Sequence, residues 1–375
     1  MNSKIDTART TSPEEMYAAL SQRLGDIVPD FELRAKAQVA AEVNQLKADR
    51  GAVILGHNYM EPALFHSVCD YKGDSLELSR LAAEAPGDPI VFCGVRFMAE
   101  TAKILSPERT VLLPTPKGGC SLAESITGED VRRLKEKYPG VPVVTYVNTY
   151  ADVKAETDIC CTSSNAHKIV ASLDSDRVIF LPDEFLAKNV ARETGKKIIF
   201  PRVTGDLPTA LGGNGASAGA SGSLEYDMIG WRGRCEVHEQ FTPEDIANVR
   251  RQFPDVMVLA HPECSPEVVE ASDFSGSTSA LIHAVKEADA RRYLLLTECS
   301  MADNIVAENP EKEMVRLCSV RCPHMNEISL ENVRDALTLD RFEVDVPEPV
   351  RSRARTSIER MLEISYGRSP TGPQP

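Results

Sequence analysis

AVILGHNYMEPALFHSVCDYKGDSLELSR, residues 52–80, carries a layout that the chain repeats twice more. A short apolar run, Val53–Leu55, breaks at Gly56 into His57, Asn58 and Tyr59; GDS follows, and Ser75 opens the amphipathic helix LELSRLAA. The second copy reads VPVVTYVNT at 141–149, then SSN at 163–165 and AHKIVASL. The third reads VMVLAHPE at 256–263, then GSTS at 276–279 and ALIHAV. His57, Tyr146 and His261 fall in register, as do Tyr59, Asn148 and Glu263, and then Ser75, Ser163 and Thr278 beside Ser277. A fixed period is read before anything else, because missing it misassigns the fold.

Each copy continues alike, with a second apolar strand (PIVFC, RVIFL, YLLLT) and then a helix (RFMAETAKIL, EFLAKNVA, SMADNIVAE). Each closes on a loop cysteine: Cys120 in KGGCSLAE, Cys235 in WRGRCEVHE, Cys322 in VRCPHMNE. Strands alternating with short helices predict an α/β fold with parallel sheets covered on both faces. The expected architecture is three related αβα domains, each three-layered, in pseudo-threefold arrangement. Right-handed crossovers would set His57, Tyr146 and His261 on one rim.

The expected boundaries are an N-terminal extension at 1–30 and repeats at 31–120, 121–235 and 236–340. A Gly/Ser-rich insertion at 202–230, containing TALGGNGASAGASGSLEYD, cannot bury a core and is expected as a loop or flap. The helix at 347–365 is expected to return onto the first domain, with 366–375 a frayed tail.

Bulk properties exclude some classes. The 375 residues are 42% hydrophobic and 26% charged, with a net charge of −14, whereas a nucleic-acid surface wants a basic stripe. No run approaches a transmembrane length, and the N-terminus lacks the layout of a signal peptide. Ten cysteines in that setting predict reduced thiols or metal ligands and a cytoplasmic location.

Seven cysteines lie in or beside strands and helices and are expected as small buried hydrophobes. Cys120, Cys235 and Cys322 differ, since a pseudo-threefold axis would bring them to one point. Three thiolates at one point suggest a metal. Zinc commonly takes four ligands from close pairs; a cubane iron–sulfur cluster takes one cysteine per iron, leaving one iron open as a Lewis acid. The helix starts at Ser75, Ser163 and Thr278 are ready anion sites. His57, Tyr59, Tyr146, His261 and Glu263 are candidates for acid–base work near neutral pH. His238, His66, His167, His283 and His324 have no counterparts between copies and are expected as surface or packing residues.

The stretches GHNY, GDSLELSR, GGCSLAE, TYVNTYADVKA, WRGRCEVHE, HPEC, GSTSAL and CPHMN make residues 30–340 resemble the quinolinate synthase family. The resemblance implies three αβα domains around a central cavity. It also implies a 4Fe–4S cluster on Cys120, Cys235 and Cys322, with one open iron. The implied reaction condenses iminoaspartate with dihydroxyacetone phosphate to quinolinate, with loss of phosphate and water. The implied substrate-binding residues are His57, Ser75, Tyr146, Asn148, Ser163, His261, Glu263, Ser277 and Thr278. Tyr59 and Glu263, with His57 and His261, are implied in catalysis, and L-aspartate oxidase as the supplier of the imine. Two alternatives stay open on the residues alone, a different iron–sulfur dehydratase and a non-catalytic sensor of a dicarboxylate.

Overall fold

The computed structural model describes residues 6–201, 225–317 and 320–367. Most of the Gly/Ser-rich insertion, Cys318 and nearly all of the C-terminal tail lie outside the described residues.

Among the described residues, thirteen strands form three sheets, parallel throughout. The first takes β1 (Val53–His57), β2 (Tyr71–Gly73), β3 (Ile90–Cys93) and β4 (Val111–Leu112) in the order β2-β1-β3-β4. The second takes β5 (Val143–Tyr146), β6 (Ile159–Cys161), β7 (Val178–Leu181), β8 (Ile198–Ile199) and β9 (Met228–Gly230) in the order β6-β5-β7-β9-β8. The third takes β10 (Met257–Ala260), β11 (Phe274–Ser275), β12 (Arg292–Leu296) and β13 (Glu313–Val315) in the order β11-β10-β12-β13. Every residue of β1, β3, β5 and β7 is buried, as strands covered by helices on both faces require. The flanked sheets make the three αβα units expected from the repeats. In the second, β9 takes the slot that β4 and β13 fill elsewhere and pushes β8 to the edge. The strand leading into Cys235 is therefore residues 228–230 of the segment expected as insertion.

One repeated bracket fixes the central strands. The Asp70 carboxylate accepts the Ile54 N–H at 2.8 Å, and the Asp70 N–H returns to the Ile54 carbonyl at 2.9 Å. Asp158 does the same for Val143, and Asp273 for Val258, each accepting at 2.8 Å. These anchors lie three residues before His57, Tyr146 and His261. The rim residues are thus set in equivalent register by a carboxylate at each strand's start.

The units also hold one another in a ring. Asn189, on helix Glu184–Glu193 of the second unit, donates to the carbonyls of Pro262 and Cys264 in the third, at 2.9 and 3.0 Å. Asn304, on helix Cys299–Glu308 of the third, donates to those of Asn58 and Met60 in the first, at 3.2 and 2.9 Å. Glu100, on helix Arg96–Leu105 of the first, accepts the Ala151 N–H of the second at 2.8 Å. Each unit grips the loop after the next unit's central strand.

The terminal helix Glu348–Tyr366 buries Ala354, Ser357, Ile358, Met361 and Leu362. It lies along helix Ala151–Ala155 and edge strand β6 as well as helix Arg96–Leu105, so it straddles two units rather than the first alone. Ser357 Oγ donates to the Lys154 carbonyl at 3.0 Å, and Arg360 to that of Asp158 at 2.8 Å. Among the described residues no helix is long and apolar enough to cross a membrane.

Candidate active site

The three strand ends open onto one cavity, with about 710 Å³ of space between protein atoms and its open mouth. His57, Tyr59 and Ser75 come to its wall from the first repeat, and Tyr146, Asn148 and Ser163 from the second. The third supplies His261, Glu263 and Thr278. Cys120, Cys235 and Cys322 lie on the same wall. Ser277 does not. It caps helix Thr278–Glu287, accepting the Ala280 N–H, and its hydroxyl donates to Asp74 at 3.2 Å.

Two repeats share an unusual hydrogen bond. The backbone N–H of Tyr59 donates to His57 Nδ1 at 3.3 Å, and that of Glu263 to His261 Nδ1 at 3.4 Å. An imidazole that accepts at Nδ1 carries its proton at Nε2. Burial agrees: it lowers His57 to about 4 and His261 to about 3, against the pull of Glu263. Both rings are neutral donors at physiological pH rather than groups that titrate near 7.

Glu263 is the hub. Tyr146 Oη donates to its Oε1, Asn148 Nδ2 reaches the same oxygen at 3.4 Å, and His238 Nδ1 lies 2.9 Å from Oε2. Burial raises its pKa, but the His238 charge and hydrogen bond, His261 and the Tyr146 hydroxyl outweigh that and hold it at about 2. Burial and the same carboxylate push both Tyr59 and Tyr146 above the ordinary phenol value. The site therefore pairs a fixed carboxylate with phenols that keep their protons.

His238 is buried on this wall, stacked on His261 with ring centroids 4.6 Å apart, and is not the packing residue expected. Its signal was available as the Cys-x-x-His spacing in WRGRCEVHE. His324 also lines the cavity, 3.1 Å from Glu236. Glu298, at the start of helix Cys299–Glu308, is raised to about 7, chiefly by burial.

The expected set of three thiolates for a 4Fe–4S cluster is not the donor group that converges. Among the described residues, the one group of three or more His, Cys, Asp or Glu with ligand atoms within 4.8 Å of one another is Cys235, His238 and Glu263. Cys120 and Cys322 stand outside it, and burial pushes their thiols up to about 12 and about 11. The repeat layout brings the three cysteine loops to one wall. Which donors meet is decided by side chains without threefold counterparts, His238 above all. A mixed sulfur, nitrogen and oxygen set is not that of a cubane with three cysteines.

A family model described as "Quinolinate synthetase A protein" matches residues 41–363. The chain belongs to the quinolinate synthase family. It is 48% identical over 359 residues to the quinolinate synthase of Sinorhizobium fredii, covering 96% of this chain and 91% of that protein. Quinolinate synthase 2 of Mesorhizobium japonicum is 48% identical over 347 residues, covering 92% and 98%. The quinolinate synthase of Xylella fastidiosa is 49% identical over 320 residues, covering 85% of each. Likeness of this extent, covering the whole cavity wall, makes the chain an enzyme of that family.

Proposed function

We propose that this chain condenses iminoaspartate with dihydroxyacetone phosphate to give quinolinate, phosphate and water. One observation carries the reading: Tyr59 and Glu263, from two repeats, line one cavity together with His57 and His261, whose Nδ1 atoms accept backbone N–H groups. The condensation needs a base to take protons from carbon and an acid to protonate a departing oxygen. By its place in the cavity Glu263 is assigned the first task, and the protonated Tyr59 phenol the second. His57 and His261 donate from Nε2 to substrate oxygens. The Ser75 and Thr278 hydroxyls, at first turns whose N–H groups have no intrahelical partner, take carboxylate and phosphate groups, with Ser163 and Asn148 completing the cradle. The imine is unstable in water, so an L-aspartate oxidase is its proposed supplier.

The experiment uses protein purified without exposure to air, supplied with both substrates and read for quinolinate and released phosphate. Glu263→Gln runs beside it. This reading expects product from the parent and a loss of about 10²–10⁴-fold in kcat for the variant, with substrate still bound. A sensor of dicarboxylates would bind and make nothing with either.

A further inference from the structure

Asn58 stands between two rim residues of the first repeat, His57 and Tyr59, and is only 3% exposed. Its side chain crosses to the third unit, where Nδ2 donates to Thr278 Oγ1 at 2.9 Å. The Asn58 backbone is tied on both sides. Its N–H donates to the Gly73 carbonyl at 3.1 Å, and its carbonyl accepts from Asn304 at 3.2 Å. The two helix starts on this seam are joined as well: Asp74, the cap of helix Ser75–Glu84, accepts the hydroxyl proton of Ser277, the cap of helix Thr278–Glu287. The amide and the hydroxyl it serves are therefore both held in place.

A threonine hydroxyl accepts at its lone pairs and has one proton to give. Because Asn58 donates to it, Thr278 keeps that proton, and Thr278 lies on the cavity wall. A hydroxyl free to turn would spend part of its time with a lone pair toward the cavity, which repels an anion. A donor set in advance needs no reorganisation when the ligand arrives. In register with Asn58 stand Val147 and Pro262, neither of which carries a side-chain donor. Among the described residues, only one of the three helix-start hydroxyls is thus oriented by a rim side chain. We infer that Asn58 is a positioning residue for substrate binding, fixing the Thr278 hydroxyl as a proton donor to an anionic oxygen of the substrate. That oxygen belongs to a carboxylate of the imine or to the phosphate of the triose. The inference rests on the proposed condensation and deepens it at one hydroxyl.

The test follows quinolinate formation with each substrate varied in turn while the other saturates. It compares parent, Asn58→Leu, Thr278→Val and the Asn58→Leu/Thr278→Val double variant. Leucine keeps the branched shape of asparagine and removes the donor. The expected result for Asn58→Leu is a rise of about 10-fold in KM for one substrate, with kcat within roughly 2-fold of the parent. The substrate affected identifies the group: iminoaspartate for a carboxylate, dihydroxyacetone phosphate for the phosphate. Thr278→Val should raise the same KM, and Asn58→Leu should add nothing in that background, because residues acting through one another are non-additive. A purely structural role would read differently, since a shift of the loop that carries His57 and Tyr59 would lower kcat. If Asn58→Leu lacks a cooperative melting transition, Asn58→Ala is held to the same criteria. A fall in kcat of about 10-fold or more, a KM change for both substrates or for neither, or a full second rise in the Thr278→Val background would each overturn the inference while leaving the condensation standing. A parent that makes no quinolinate sinks the condensation reading and this one with it.

Discussion

Glu263 keeps its charge in a buried cavity because its partners compensate for lost solvent, and that arrangement has a pH signature. Its folded pKa, near 2, lies below the ordinary carboxylate value, so its stabilisation is complete above the unfolded value and fades as pH falls toward 2. His57 and His261 act in the same direction from higher pH. Their folded values, about 4 and about 3, lie below 6.5, so the unfolded chain binds more protons there. Stability should fall from pH 6.5 downward, at roughly 1.4 kcal/mol per pH unit for each histidine. Urea midpoints between pH 4 and 7 check this, and His57→Asn should flatten the slope. A slope unchanged in that variant would mean that His57 does not titrate as its burial requires. The rim positions were legible in the sequence because three copies kept register from His57 to Thr278. His238 was marked only by its Cys-x-x-His spacing, because it has no counterpart in the other two copies.

At the scale of the strand, the Asp70, Asp158 and Asp273 brackets hold the starts of the apolar runs in equivalent register. Removing one orphans a backbone N–H at the start of a buried strand, so Asp273→Ala should cost about 1–3 kcal/mol by urea denaturation. An unchanged midpoint would show that the bracket only accompanies the register. The repeat was visible in CDY, TDI and SDF at 69–71, 157–159 and 272–274, yet an aspartate before a strand reads as ordinary turn chemistry until its partner is seen. Gly56 is a second constraint, since a Cβ there would stand 2.3 Å from Cys69 Sγ. Gly56→Ala should destabilise by about 1–3 kcal/mol through overpacking. The position of β9 could not be read. Its three residues follow a Gly/Ser-rich stretch with no pattern of its own, and only pairing with β7 and β8 makes them a strand.

Over the whole molecule, the site belongs to no single unit. Asn304 holds the loop that carries Tyr59, Asn189 the loop that carries Glu263, and Glu100 the loop beyond Tyr146. Asn189→Ala removes two hydrogen bonds to buried carbonyls and should lower both the melting temperature and kcat, while Arg353→Ala on the exposed face serves as the control. Triplication was legible as a repeated layout because layout is local. The ring is made by single residues reaching between units, and the expectation of a symmetric thiolate centre failed for the same reason. Cys235 meets His238 and Glu263, not its two counterparts.

The proton transfers of a condensation that yields quinolinate are proposed for Glu263 and Tyr59, brought together from different repeats. The most direct measurement is quinolinate and phosphate release by the air-protected protein given iminoaspartate and dihydroxyacetone phosphate, with Glu263→Gln alongside. Product from the parent, and a kcat lower by about 10²-fold or more in the variant at similar KM, is the expected result. Equal turnover by parent and variant would contradict the assignment of Glu263, and no product from the parent would contradict the reaction itself.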